Sequence, residues 1–137
     1  MRVVVALGGN ALAPDGGLND SVQNANVALA AEALVQLASE HELVNTHGNG
    51  PQIGHLAFVQ EDAEPVPGLD TLGAETEGLL GYALEQALAS RLPAASLATL
   101  MTLVEISADD DAFRAPAKPI GLRYSEGPAH ALAAARG

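Results

Sequence analysis

The sequence predicts a three-layer α/β/α sandwich built on a mainly parallel sheet, and three observations carry that expectation. A continuous apolar run, Val3-Val4-Val5-Ala6-Leu7, stops at Gly8-Gly9. A second short segment, Leu43 to Thr46, stops at His47-Gly48-Asn49-Gly50. Between and after them, apolar residues recur at helical rather than alternating spacing. Strand, helix and strand in that order imply a right-handed parallel crossover.

The first run shows no polar alternation, so it reads as a strand buried on both faces. After Pro14-Asp15-Gly16-Gly17, the candidate caps Asn19, Asp20 and Ser21 open a helix. In it Val27, Ala30, Ala31, Leu34, Val35 and Ala38 keep helical spacing to near His41. Pro51 suits the first position of the helix that follows the second strand, where a missing N–H costs nothing. The stretch from Glu61 to Gly68 is acidic and holds Pro65 and Pro67, so it reads as a surface loop. A third structural helix starts at Asp70 or Thr71 and runs to near Leu92, where Pro93 stops it. Leu97 to Ile106, rich in Leu, Thr and Val, reads as a third strand.

From Ser107 the pattern changes. Asp109-Asp110-Asp111, Pro116, Lys118-Pro119 and Gly121 describe an extended excursion, and a last helix opens near Ser125 and Pro128 and runs to Arg136. The chain therefore divides into an α/β lobe, residues 1–106, and an excursion, residues 107–137.

Composition narrows the chemistry. The 137 residues are 48% hydrophobic, enough to bury a core. Only 3% are aromatic, so that core must come from Ala, Val, Leu and Ile. Seventeen acidic residues against six basic ones give a net charge of −11, which repels nucleic acid and anionic membranes, and neither is expected as a partner. The absence of cysteine excludes disulfides, thiolate zinc sites and iron–sulfur clusters. The first residues lack the basic start of a signal peptide, and no apolar stretch approaches transmembrane length, so a cytoplasmic location is expected.

Two glycine-rich turns, Gly8-Gly9-Asn10 and Gly48-Asn49-Gly50-Pro51, each follow a predicted strand. Both fall at the carboxyl edge of the sheet, where open α/β folds bind ligands. Glycine lets the backbone approach a ligand closely, and the N–H groups around Pro51 sit at a helix N-terminus, which attracts anions. Asn10 and Asn49 add amide donors. The pattern describes a pocket for a small carboxylate, carbamate or phosphate that carries almost no positive charge of its own. Neither turn is a Walker P-loop or a Gly-x-Gly-x-x-Gly fingerprint, which argues against P-loop ATPases and Rossmann dehydrogenases.

Lys118, the single lysine, is the ammonium available to a phosphoryl group. Glycine at 73, 78 and 81 in the third helix costs about 1 kcal/mol each relative to Ala, which implies close packing on another subunit or on the glycine turns. Glu75 and Glu77 cannot share one face of that helix and read as solvated or structural. His41, His47, His55 and His130 show no metal spacing, and Asp109 to Asp111 lacks the spacing of a calcium loop, so no metal ligands are expected.

In order, Val-Val-Ala-Leu-Gly-Gly-Asn-Ala-Leu (4–12), His-Gly-Asn-Gly-Pro-Gln (47–52), Leu-Gly-Ala-Glu-Thr-Glu-Gly (72–78) and Lys-Pro-Ile-Gly (118–121) closely resemble carbamate kinase, within the amino-acid kinase superfamily. The Asn after Gly-Gly and the Lys-Pro-Ile-Gly run favour carbamate kinase over acetylglutamate kinase. The resemblance implies reversible phosphoryl transfer between carbamoyl phosphate and ADP, giving ATP and carbamate with Mg²⁺. It implies that Gly8, Gly9, Asn10, Gly48, Asn49 and Gly50 hold the carbamate and the transferring phosphoryl group, and that Lys118 acts as the catalytic cation from a protruding subdomain beginning at residue 107. It further implies a homodimer, giving the Gly78 and Gly81 face a partner. Family members are roughly twice as long, so a truncated chain is expected, its nucleotide lobe absent. Two alternatives remain open: a binding or dimerisation remnant without catalysis, and another amino-acid kinase such as acetylglutamate kinase.

Overall fold

The protein is described by a computed structural model covering residues 1–13, 20–60, 63–118, 120 and 124–136. Strand β1 (Arg2–Leu7) leads through a single turn, α1 (Gly9–Leu12), to α2 (Asp20–Ala38), β2 (Glu42–His47), α3 (Gly50–Val59) and α4 (Leu69–Ala89). A short 3₁₀ turn at Asp111–Phe113 and a final helix, α5 (Glu126–Arg136), complete it. The Pro14 to Gly17 turn and the cap residue Asn19 lie outside the described residues, as does the side chain of Asp20.

β1 and β2 pair in parallel, in register from Arg2 opposite Glu42 to Leu7 opposite His47. The Gly48 N–H donates to the Leu7 carbonyl at 2.9 Å, extending the ladder to the first glycine of the second turn. The parallel α/β fold expected from the sequence is borne out. The continuous apolar run nevertheless misled on one point. Val3, Val5 and Leu7 face the helices and are half-buried, while Val4 is 66% exposed opposite Val44 at 44%. Among the described residues the outer face of this pair is open.

The core lies between helices. Leu12 of α1, Val27 of α2 and Leu80 and Leu84 of α4 form one buried cluster, with Leu7, Ala30, Ala83 and Ala87 packed around it. Val27, Ala31 and Leu34 form the buried stripe of α2 at spacings of four and three residues. Alanine at 30, 83 and 87 lets α2 and α4 approach closely, and each buried leucine contributes about 1.5–3 kcal/mol. At the end of α4, the Ser90 hydroxyl and the Arg91 guanidinium both donate to the Ala87 carbonyl, at 2.9 Å each. They satisfy an acceptor the helix leaves unpaired, and the helix ends there, ahead of Pro93.

Leu97 to Ile106 does not form the expected third strand. Instead it lies along α4: the Thr102 N–H and hydroxyl donate to one Glu77 carboxylate oxygen at 3.1 and 2.8 Å, and the Thr99 hydroxyl donates to the Gly81 carbonyl at 3.2 Å. A strand exists only with a ladder partner, and among the described residues neither sheet edge pairs with this segment. Leu100, Met101, Leu103, Val104 and Ile106 remain exposed along it.

Candidate functional site

Because β1 and β2 are parallel neighbours, the turns leaving them meet at one edge. A Cβ built on Gly9 would lie 2.9 Å from Pro51 Cδ and 3.4 Å from the Gly48 carbonyl oxygen, and one on Gly48 would lie 3.3 Å from the Gly9 nitrogen. The two backbones are thus in van der Waals contact, a closeness only glycine permits. The first turn is tighter than a loop. Gly8 caps α1, its carbonyl accepts the Ala11 N–H at 2.9 Å, and Gly9 and Asn10 are already helical. The side chain of Asn10 lies outside the described residues.

The second turn starts α3. Asn49 is the N-cap residue, Gly50 and Pro51 are the first helical positions, and no side chain caps the end. The N–H groups of Gly50 and Gln52 therefore have no partner within the helix, and no acidic residue sits in the first turn to oppose an anion. Together the turns form a concave rim of backbone at the positive end of a helix.

Asn49 does something the sequence did not suggest. Its amide nitrogen donates to the Gly73 carbonyl and to Thr76 Oγ1, at 3.0 Å each. Those donors face α4 rather than the rim. Gln52 closes the second motif run, but nothing in the sequence assigned it a role of its own. It is 2% exposed, and its amide donates to Gln23 Oε1 at 3.1 Å, so a buried amide pair joins α3 to α2 beneath the rim. The only available signal was a polar residue on the inward face of an otherwise apolar helix start. Asn45 Oδ1, His47 Nδ1 and Gln52 Oε1 are buried without a hydrogen-bond partner, all within the β2–α3 segment. An open hollow of about 600 Å³ lies alongside, lined among others by His47, Asn49, Ile53, Gly73, Glu77 and Thr102.

Cations are scarce. Arg2 faces Glu42 at 3.0 Å, Arg114 faces Asp111 at 3.4 Å and Arg91 faces Glu32 at 4.0 Å. Lys118 is exposed and has no acidic partner among the described residues; no hydrogen bond joins it to the glycine rim. Pro119 and Gly121 of its motif lie outside the described residues. Glu77 is held by Thr102 and Glu75 is exposed, so the structure assigns neither to the rim. Within this chain Gly81 packs against Thr99 rather than against the glycine turns, and Gly78 has no atom within 4 Å of a built Cβ. Among the described residues no three His, Cys, Asp or Glu side chains gather as a metal set, and no helix is long and apolar enough to cross a membrane.

A profile described as the amino acid kinase family matches residues 1–117. The carbamate kinase of Rhizobium meliloti is 50% identical over 90% of this chain and 40% of its own length. That of Haemophilus influenzae is 44% identical over 97% of this chain and 44% of its own length. Among solved structures, the carbamate kinase of Giardia lamblia bound to AMP-PNP superimposes with a TM-score of 0.78 at 34% identity, covering 98% of this chain and 45% of that one. The same enzyme bound to citric acid gives a TM-score of 0.83, with 98% and 46% covered. The chain thus spans less than half the length of these relatives.

Proposed function

The chain belongs to the amino acid kinase family, and from that premise we propose that it is the small-anion side of a carbamate kinase, the site that holds carbamate or the phosphoryl group of carbamoyl phosphate. The observation that carries this reading is the contact between Gly9 and the Gly48–Pro51 turn at the carboxyl edge of two parallel strands. Backbone N–H groups at the start of α3 would hold the anion's oxygens, since an uncapped helix start favours negative charge without a positive side chain. Identity of 44–50% to carbamate kinases across most of the chain supports this substrate class over acylated amino acids.

Phosphoryl transfer is catalysed mainly by positioning and by neutralising charge on the transferring oxygens. In this reading Gly8, Gly9, Asn10, Gly48, Asn49 and Gly50 supply position through their backbone, and Lys118 supplies charge. Its freedom from any acidic partner among the described residues suits that role. ADP and ATP, with Mg²⁺, complete the proposed reaction. The described residues offer no carboxylate or imidazole set for the metal. The nucleotide side is assigned to sequence the longer relatives have and this chain does not match.

Calorimetry with carbamoyl phosphate tests the reading. The chain is expected to bind it, with acetylglutamate failing to compete. Absence of binding, or preference for the acylated amino acid, overturns it. A cycle in which ATP forms from carbamoyl phosphate and ADP, run with the isolated chain, separately tests the assignment of the nucleotide side elsewhere: turnover would contradict that assignment.

A further inference from the structure

We infer that Thr76, on α4, is a positioning residue for the glycine rim, acting through Asn49; the inference rests on the anion-site reading above. Thr76 is 3% exposed, and its hydroxyl lies 2.8 Å from the Leu72 carbonyl, 3.1 Å from the Gly73 carbonyl and 3.0 Å from Asn49 Nδ2. Proton accounting fixes the direction of each bond. Carbonyls only accept, so the single hydroxyl proton goes to the helix backbone and its lone pair is left facing Asn49. The Gly73 carbonyl also only accepts, at 3.0 Å from the same Asn49 nitrogen. Both groups therefore demand the amide nitrogen, and the Asn49 amide oxygen is turned away from α4.

Asn49 is the residue between the two glycines of the second turn and the N-cap of α3. Glycine on both sides gives that turn backbone freedom that an anion site must suppress before it can bind. The Asn49 side chain is what ties it to a rigid helix, and Thr76 with Gly73 is what the tie is fastened to. Within α4, Leu72 is buried at 1% and orients the hydroxyl through its carbonyl.

The test uses the full 137-residue chain with Thr76→Ala, Thr76→Ser, Asn49→Ala and the Asn49→Ala/Thr76→Ala double variant. Carbamoyl phosphate affinity is measured by calorimetry well below the unfolding temperature, and the Asn49 side-chain NH₂ signals are followed by ¹⁵N NMR. Thr76→Ala is expected to weaken binding about tenfold, the scale of one lost hydrogen bond at a site that must be held rigid. Thr76→Ser should restore it to within about twofold, and the Asn49 amide signals should shift in the alanine variant alone. In the Asn49→Ala background Thr76→Ala should have no further effect, because the two act as one unit. A general loss of packing would instead add to the Asn49 effect, and that additivity overturns the inference. If the unaltered chain shows no affinity, the anion reading fails. The NMR signals then decide the contact itself: Asn49 signals unmoved by Thr76→Ala sink it.

Discussion

Gly9 and Pro51 come so close that a methyl group on the glycine would stand 2.9 Å from the ring's Cδ, with the Gly48 carbonyl oxygen 3.4 Å away on the same side. A proline ring cannot swing aside as a long side chain can, so the backbone turns would have to part. Gly9→Ala is expected to cost about 1–3 kcal/mol, the range for overpacking a close contact, and to abolish carbamoyl phosphate binding. Gly8→Ala is the matched control: nothing lies within 4 Å of its Cβ, and φ −65°, ψ 151° is open to any residue. Thermal unfolding of the two variants checks this, and equal stability would remove the claim that the turns are in contact.

Gly78 carries no such constraint. It lies inside α4 with open space where a side chain would go. Gly78→Ala should stabilise the fold of this chain by about 0.5–1 kcal/mol, since alanine loses less backbone entropy in a helix. Loss of stability would mean that something outside this chain packs there.

Gly81 is the opposite case, because a Cβ there would run into the Thr99 methyl group. Gly81→Ala is expected to pry residues 97–106 from α4. Cleavage by chymotrypsin at Leu100 and Met101 should then accelerate several-fold. Adding Thr99→Ser, which removes the obstructing methyl and keeps the hydroxyl bonded to the Gly81 carbonyl, should return cleavage to its original rate. Persistent fast cleavage in the double variant would show that the steric argument is wrong.

Lys118→Met separates charge from fold. The side chain is exposed and unpartnered among the described residues, so melting temperature should not change measurably. Affinity for carbamoyl phosphate should fall about tenfold, the value of one charge-assisted hydrogen bond. Unchanged affinity would place this ammonium outside the site.

Much of the architecture was legible in the residues. β1, β2 and the helices after them announced themselves through glycine turns, caps and helical spacing, and α4 begins at Leu69, within two residues of the expected start. What could not be read depended on partners remote in sequence. Leu97 to Ile106 has strand composition, yet the acceptors its threonines meet, Glu77 and Gly81, are side-chain and backbone oxygens on a helix. The uninterrupted valines of β1 hid an inward and an outward face, since apolar residues on both give no alternation. At the site, the adjacency of the two turns followed from parallel pairing alone, whereas the donors of Asn49 were expected to face the ligand and instead reach back to Gly73 and Thr76. An amide carries the same formula in either role, and only the position of α4 distinguishes them. Gln23 and Gln52 lie 29 residues apart, and nothing local couples them.

The tract from Leu100 to Ile106 also sets how this polypeptide must be handled. Its leucine at 103 is fully uncovered, at 102% of the reference area, and Leu100, Met101, Val104 and Ile106 are 58–79% exposed, which makes the tract a ready template for stacking against its own kind. Three consecutive aspartates, 109 to 111, stand immediately downstream as gatekeepers, and the overall charge of −11 keeps copies apart. Acidification toward the isoelectric point near 4.4 removes that repulsion, so colloidal failure rather than loss of fold should define the acid limit of the preparation.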